Sequence, residues 1–479
     1  DKPNIVIILA DDLGYGDIAC YGSSIPTPNI DRLASEGTRF TDFHSNGSVC
    51  SPTRCALMTG RYQQRAGIAG LVRGEKGMSP DEFTIAEAMK SSGYVTGMFG
   101  KWHLGVLPKF NPVRQGFDKY KGSLGGRIDY FTHQAAGKPH NLDWWNGVEP
   151  LEEKGYSTTL IADHSIDFIQ QSKSKSFFLY VAFNAPHTPL QSPEAPDGKD
   201  PDAYRKVVEW MDKETGRILA TLKEEGLADN TFVFFFSDNG GHEGIPGCSN
   251  KPLRGFKGSF WEGGHREPAI ARWPGHVPAG TVTDQTAMGM DLMPTVMELA
   301  GAALPADRKL DGISLASLLL RGQSLPPRKL FWAQGKEWAM RDGPWKLLDE
   351  QGTIYLFDLS QDLGEQHDLS AQYPERVKTM REDFQTWAKD VGTERTEGST
   401  PQTARGRAAH GKAEPEEEEG CKIPYRSNDG IRPSLAARTR KRQATRNNQT
   451  FDSRIHKQDR THESNAQQLQ TQTIPTAPK

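Results

Sequence analysis

Three short stretches carry almost no polar side chains: Asn4–Ala10 reads NIVIILA, Phe177–Phe183 reads FFLYVAF and Thr231–Phe236 reads TFVFFF. None alternates polar with apolar positions, so none has a wet face. Runs this short and uniform predict central strands covered on both sides, and Tyr94–Phe99 predicts a fourth. Between them the apolar period lengthens to that of a helix over Asn29–Glu36, Phe83–Ser91, Ser157–Gln171 and Ala203–Glu225. Alternating strands and helices predict an α/β fold, a large, mostly parallel (mixed) sheet sandwiched by helices. From about Asp311 the texture changes. Trp338–Leu348 and Thr353–Leu359 predict antiparallel strands, and Pro374–Ala388 a helix, giving a small C-terminal α+β subdomain with an antiparallel sheet. The predicted organisation is a large domain over 1–310, the subdomain over 311–392 and a tail over 393–479.

The tail holds one Tyr, one Phe and no Trp, with an acidic run at Glu416–Glu419 and a basic cluster at Arg438–Arg442. It cannot bury enough apolar surface to offset its chain entropy, which predicts disorder. Over the whole chain, 58 basic and 61 acidic residues leave a net charge of −3, so no polyelectrolyte signature for nucleic acid exists. No apolar run approaches the roughly 20 residues of a membrane span. Five cysteines, none in a CxxC pair, exclude a disulfide scaffold and a sulfur-rich zinc site. The chain starts at Asp1 just ahead of a strand, which fits a trimmed leader and a secreted or periplasmic protein.

In an open parallel sheet, residues just beyond the carboxyl ends of strands converge on one rim. Four predicted strands put unusual side chains there: Asp11 and Asp12, Lys101 and His103, His187, and Asp238 with Asn239. Three carboxylates and a carboxamide make a hard oxygen site suited to Ca²⁺ or Mg²⁺, although Asp after a strand is also a common turn former. In Ser48–Gly60, Ser51 is the expected helix cap and Pro52 the first helical residue. Cys50 then sits at a helix N-terminus with Arg54 one turn in, where a thiol is expected to be acidic, or is simply a small buried side chain. Lys257 lies in the glycine-rich stretch Leu253–Arg266. Arg54, Lys101, His103, His187 and Lys257 together predict a cationic pocket for a tetrahedral oxyanion. Tyr130, Trp144 and Trp145, in the loops Gly122–His140 and Asn141–Glu153, are candidates to stack on sugar rings, or else local packing.

Cys50-Ser-Pro-Thr-Arg54 resembles the signature of the type I sulfatases, Cys-x-Pro-Ser-Arg, with Thr53 in place of the commoner serine. Ala10-Asp-Asp-Leu-Gly14, Thr59-Gly-Arg61, Gly100-Lys-Trp-His-Leu-Gly105, Ala185-Pro-His187, Ser237-Asp-Asn-Gly240 and Gly258–Arg266 are similar to further family motifs in the same order. The resemblance covers roughly residues 3–370 and implies an alkaline-phosphatase-like fold. It implies that Cys50 is converted to formylglycine by a maturation enzyme, and that Asp11, Asp12, Asp238, Asn239 and residue 50 hold one Ca²⁺. Residue 50, as the hydrated aldehyde, would be the nucleophile. Arg54 and Lys101 would stabilise it, and Lys101 and Lys257 would neutralise a sulfate. His187 with Lys257 would protonate the leaving alcohol, and His103 would take a proton from the second hydroxyl. The implied function is hydrolysis of a sulfate monoester on a carbohydrate or aryl alcohol. A phosphodiester or phosphonate monoester hydrolase of the same superfamily, and a non-catalytic sulfated-glycan binder with unmodified Cys50, are the alternatives.

Overall fold

The computed structural model describes residues 2–135, 140–303 and 305–393. The tail predicted to be disordered, beyond 393, lies outside the described residues. An 11-stranded mixed sheet organises the chain, and a separate 4-stranded antiparallel sheet follows it. At the centre of the large sheet Thr231–Ser237, Asn4–Ala10, Phe177–Ala182 and Val95–Gly100 lie side by side, all parallel. Their uniform apolarity has the predicted cause. Ile5, Ile7 and Leu9 enter one core with Phe232, Phe234 and Phe236, while Val6, Ile8 and Ala10 enter the opposite core with Val233 and Phe235. Helices cover both faces: Ile85–Ser91 and Leu292–Ala300 on the first, Pro28–Ser35, Ser157–Ser172 and Ala203–Glu224 on the second.

Two strands were not legible in the apolar pattern. Thr38–His44 and Arg266–Arg272 pair antiparallel, and the second also pairs antiparallel with Thr231–Ser237, so one side of the sheet is mixed. Both carry charged side chains that are buried by partners from elsewhere, so their sequences look wet. The register of the central strands aligns their ends. Ala10 pairs with Ser237, Leu9 with Ala182, and Gly100 with Ala182. The closeness at Gly100 is why no side chain fits there: a Cβ would stand 1.8 Å from the Ala182 carbonyl oxygen, at φ of 112°.

The C-terminal sheet differs in detail from its prediction. Trp338–Leu348 is not one strand but a hairpin of Glu337–Asp342 and Trp345–Glu350, because Gly343 takes φ of 57° and turns the chain. Lys329–Gln334 adds a fourth strand, and Pro374–Asp390 packs on the sheet through Met380, Phe384 and Trp387. Leu315 and Leu319 belong to the core under the large sheet. Among the described residues no helix is long and apolar enough to cross a membrane.

A buried polar network joins the two sheets. Asp42 Oδ1 accepts from His44 Nε2 at 2.9 Å, His44 Nδ1 and His265 Nδ1 share a hydrogen bond at 3.0 Å, and His265 Nε2 lies 3.3 Å from Lys346 Nζ and 3.2 Å from the Phe260 carbonyl. Arg266 and Arg341 close on Asp42 and Glu262, and Lys346 pairs with Glu262 at 3.0 Å and Glu365 at 2.8 Å. His44, Glu262 and His265 are close enough to share a metal ion, but every ring nitrogen already has a partner. Three cations face Asp42, Glu262 and Glu365, so with both imidazoles neutral the buried charge balances once Glu365 ionises. The network also fixes the chain entering the site, since Ser45 N–H donates to the His265 carbonyl and Trp332 Nε1–H to the Ser45 carbonyl.

Burial and the neighbouring Glu262, against the pull of Lys346, push the Glu365 carboxyl up from 4.5 to about 7. A raised carboxyl holds its proton more tightly in the folded state, so its contribution is full below about pH 4.5 and is lost as pH rises through 7. Glu365→Gln, neutral at every pH, should therefore gain in melting temperature relative to the unaltered protein between pH 5 and pH 8. A difference that stays flat across that range in thermal melts, or reverses, overturns this account.

Candidate active site

Loops leaving the four aligned strands bring Asp11, Asp12, Lys101, His103, His187, Asp238 and Asn239 to one rim, and the helix Cys50–Thr59 adds Cys50 and Arg54. All of them are buried. Two adopt backbone conformations that side chains rarely take, Asp12 at φ of 64° and His103 at φ of 54°. The expected cationic pocket is not what forms, because each cation is paired. Lys101 Nζ donates to Asp11 Oδ2 at 2.7 Å and Lys257 Nζ to Asp12 Oδ2 at 2.9 Å. Arg54 donates to Asp238 Oδ2 through Nε at 2.9 Å and a terminal nitrogen at 2.7 Å. Its other terminal nitrogen holds the Lys101 carbonyl at 2.9 Å. Charges sequence reading counted as free are spent on carboxylates that it counted separately.

The helix begins two residues earlier than predicted. Cys50 is its first residue and Val49 its cap, with no side-chain capping bond. Ser51 does not cap because its hydroxyl accepts the N–H of Val72 from the adjoining loop at 3.0 Å. Pro52, third in the helix, costs nothing there, since first-turn N–H groups lack intrahelical partners. The expected acidic thiol is overturned as well. Burial pushes the Cys50 thiol well above its ordinary range; Lys101 and Lys257 oppose this, while Asp11 and Asp238 reinforce it. Cys50 Sγ stands 3.4 Å from Asp11 Oδ1, as a protonated donor does.

The two histidines are both held uncharged. Burial, then Lys101 and Arg54, drive His103 well below its usual value. Burial takes His187 down to about 4 even though Asp12 pulls it up. His187 Nδ1 donates to the Thr188 carbonyl at 2.7 Å, so Nε2 is left to accept from Lys257 Nζ at 3.3 Å. Gly126 gives His103 its room, since a Cβ there would lie 2.6 Å from the ring. Asp12 behaves oppositely: burial would raise its carboxyl, but the ammonium groups of Lys257 and Lys101 hold it well below the usual range.

Asp11, Asp12, Cys50 and His187 each bring one ligand atom within 4.8 Å of the others. Asn239 Oδ1 is buried there with no hydrogen-bond partner, while its Nδ2 donates to Asp12 Oδ1 at 2.7 Å. An orphaned carboxamide oxygen among three carboxylates is a donor set that fits a hard divalent cation. Arg54, Lys101 and Lys257 neutralise Asp11, Asp12 and Asp238 one for one. A divalent ion added to this set would leave a surplus of positive charge, the condition for holding an oxyanion.

Of the aromatics with two possible roles, Tyr130 and Trp144 take the local-packing one. Tyr130 is buried, its hydroxyl between the carbonyls of Asn184 and His187 at 2.7 and 2.8 Å, so it fixes the His187 loop and cannot stack on a sugar. Trp144 is buried against the His133 ring, with centroids 4.6 Å apart, and is equally unavailable. Asp143 accepts the N–H groups of Leu124 and Gly125, and the Leu124 carbonyl in turn holds the His103 N–H. An aromatic or acidic residue in a loop reads the same whether it braces the backbone or faces solvent.

Residues 3–302 match the family model described as Sulfatase. The chain is 38% identical over 363 residues to N-acetylgalactosamine-6-sulfatase of Canis lupus familiaris, covering 70% of this chain and 69% of that protein. It is 39% identical over 367 residues to arylsulfatase A of Homo sapiens, covering 69% and 70%. The crystal structure of Ps i-CgsB in complex with k-i-k-neocarrahexaose is similar with a TM-score of 0.77 and 34% identity, over 82% of this chain and 94% of that one. With an alkaline-phosphatase-like mixed sheet carrying these motifs at its strand ends, the chain belongs to the sulfatase family of sulfuric ester hydrolases.

Proposed function

We propose that the protein hydrolyses a sulfate monoester carried by a carbohydrate, with residue 50 as nucleophile after conversion of Cys50 to formylglycine by a maturation enzyme. The observation that carries this reading is the place of Cys50: its Sγ lies within 4.8 Å of ligand atoms of Asp11, Asp12 and His187, in a set whose carboxylates are paired with Arg54, Lys101 and Lys257. A buried thiol 3.4 Å from Asp11 Oδ1 is a poor nucleophile there. The hydrated aldehyde would supply a hydroxyl nucleophile with a second hydroxyl beside it. Asp11, Asp12, Asp238, Asn239 and residue 50 are the residues that would hold a Ca²⁺, which would supply positive charge next to the sulfate oxygens. Two similar proteins are named for, or bound to, sugars: an N-acetylgalactosamine-6-sulfatase and a structure with neocarrahexaose.

The chain's own side chains divide the proton work. Lys257 keeps its proton, because the attraction of Asp12 overcomes its burial. Standing 3.3 Å from His187 Nε2, it can pass a proton to a leaving oxygen directly or through that nitrogen. His103, neutral and with Nδ1 unpartnered, is able to accept a proton on the other side. Arg54, clamped on Asp238 and on the Lys101 carbonyl, orients the helix that presents residue 50 and holds Lys101 in place.

Active protein should show residue 50 as the aldehyde in mass spectrometry of its tryptic peptide, lighter than the cysteine form and reactive with a hydrazide. Full activity with only unmodified Cys50 would end the proposal. Asp238→Ala should retain less calcium than the unaltered protein after dialysis and lose turnover by about 100-fold or more, since a ligand goes and Arg54 loses its counter-charge. Unchanged calcium content alongside full activity would remove Asp238 from the metal set.

A further inference from the structure

Beside the candidate acid lies a cleft of about 460 Å³, within the usual range of small-molecule sites. It opens over Gly258, one residue from Lys257, where a Cβ would meet nothing within 4 Å. Its far walls come from the C-terminal sheet, as Gln334, Lys336 and Glu337 at its first hairpin turn and Gln351 at its third. The first turn is held against the chain that follows the Cys50 helix, and Trp261 Nε1 donates to Glu350 Oε1 beside the second at 2.8 Å. Gln64 Nε2 donates to the Ala333 carbonyl at 3.3 Å, the Gly258 N–H to the Ser48 carbonyl at 2.8 Å, and Gln334 lies beside Gly70.

Position decides which part of a substrate this cleft could take. In the proposed reaction Lys257 and His187 protonate the departing alcohol, and the cleft begins at Gly258, the residue after Lys257, where the remainder of that alcohol has room to extend. Chemistry decides what kind of alcohol. The lining is amide and charged groups, and its one aromatic, Phe260, is buried at 2% exposure, so no apolar wall awaits a flat hydrocarbon. Gln334 Oε1 is buried without a hydrogen-bond partner, an acceptor whose missing donor a sugar hydroxyl can supply. We infer that the turns at Gln334–Glu337 and Gln351 form a saccharide subsite, receiving a sugar unit linked to the one that carries the sulfate. This inference rests on the proposed sulfatase reading and deepens it by naming an oligosaccharide as substrate class.

The test compares calcium-loaded, aldehyde-containing protein with Gln334→Ala and Gln351→Ala on k-i-k-neocarrahexaose, N-acetylgalactosamine 6-sulfate and 4-nitrophenyl sulfate. Loss of one hydrogen bond to the distal sugar should lower the ratio of kcat/KM on the best oligosaccharide to that on 4-nitrophenyl sulfate by about fivefold per variant. Thermal melts establish that each variant is folded. A ratio that does not move, or a parallel loss on all substrates, overturns the subsite. Turnover of 4-nitrophenyl sulfate with none on either sugar refutes the saccharide occupant while leaving sulfate hydrolysis standing. Where no sulfate ester is cleaved, the proposed activity fails, and calorimetric titration with neocarrahexaose judges the subsite separately: binding weakened by both substitutions supports it, and absence of heat overturns it.

Discussion

The site depends on pairing three buried cations with three buried carboxylates, each partner delivered by a different stretch of chain. Asp11 and Lys101 meet from neighbouring regions of the sheet, Arg54 reaches Asp238 from a helix, and Lys257 reaches Asp12 from a loop. Removing such charges from water is expensive, and only close, hydrogen-bonded contacts offset the loss. Removing one partner would leave an uncompensated charge in a site with almost no solvent. The arrangement therefore tolerates little displacement of the strand ends, and the register of the central strands is as much a part of the site as the side chains.

The same logic repeats behind the site. Asp42, Glu262 and Glu365 balance Arg266, Arg341 and Lys346, with the two histidines passing hydrogen bonds between the ends. This second set ties the C-terminal sheet to the chain segments that lead into Cys50 and away from Lys257. The small sheet thus has two consequences for the site. It braces the entering loop through Trp332 and Ser45, and it carries the turns at Gln334 and Gln351 to the mouth. A sheet that merely completed the core would need neither.

Neutrality is the second constraint on the chemistry. Burial keeps His103, His187 and the Cys50 thiol uncharged, although each lies among ions. In a site that holds ions at close range, neutral groups are the ones free to change protonation during a reaction. Lys257 is the exception, keeping its proton because Asp12 faces it.

The sequence by itself determined the central strands, since runs without polar residues can only be covered on both faces, and it determined that Asp11, Lys101, His187 and Asp238 follow those strands. It marked the segment at Cys50 by its Pro and Arg spacing. Tertiary structure decided the rest. Thr38–His44 and Arg266–Arg272 read as wet because Asp42, His44 and Arg266 are charged or polar, and only partners distant in the chain make their burial tolerable. Tyr130 and Trp144 sit in loops that read as surface, and folding turned them inward onto the His187 and His133 segments. The ionisation of Cys50 could not be read from its place at a helix start, because it depends on the desolvation imposed by everything packed around it. Local pattern fixes which residues leave a strand together; the energy of burying charge depends on which others arrive, and that is a property of the fold.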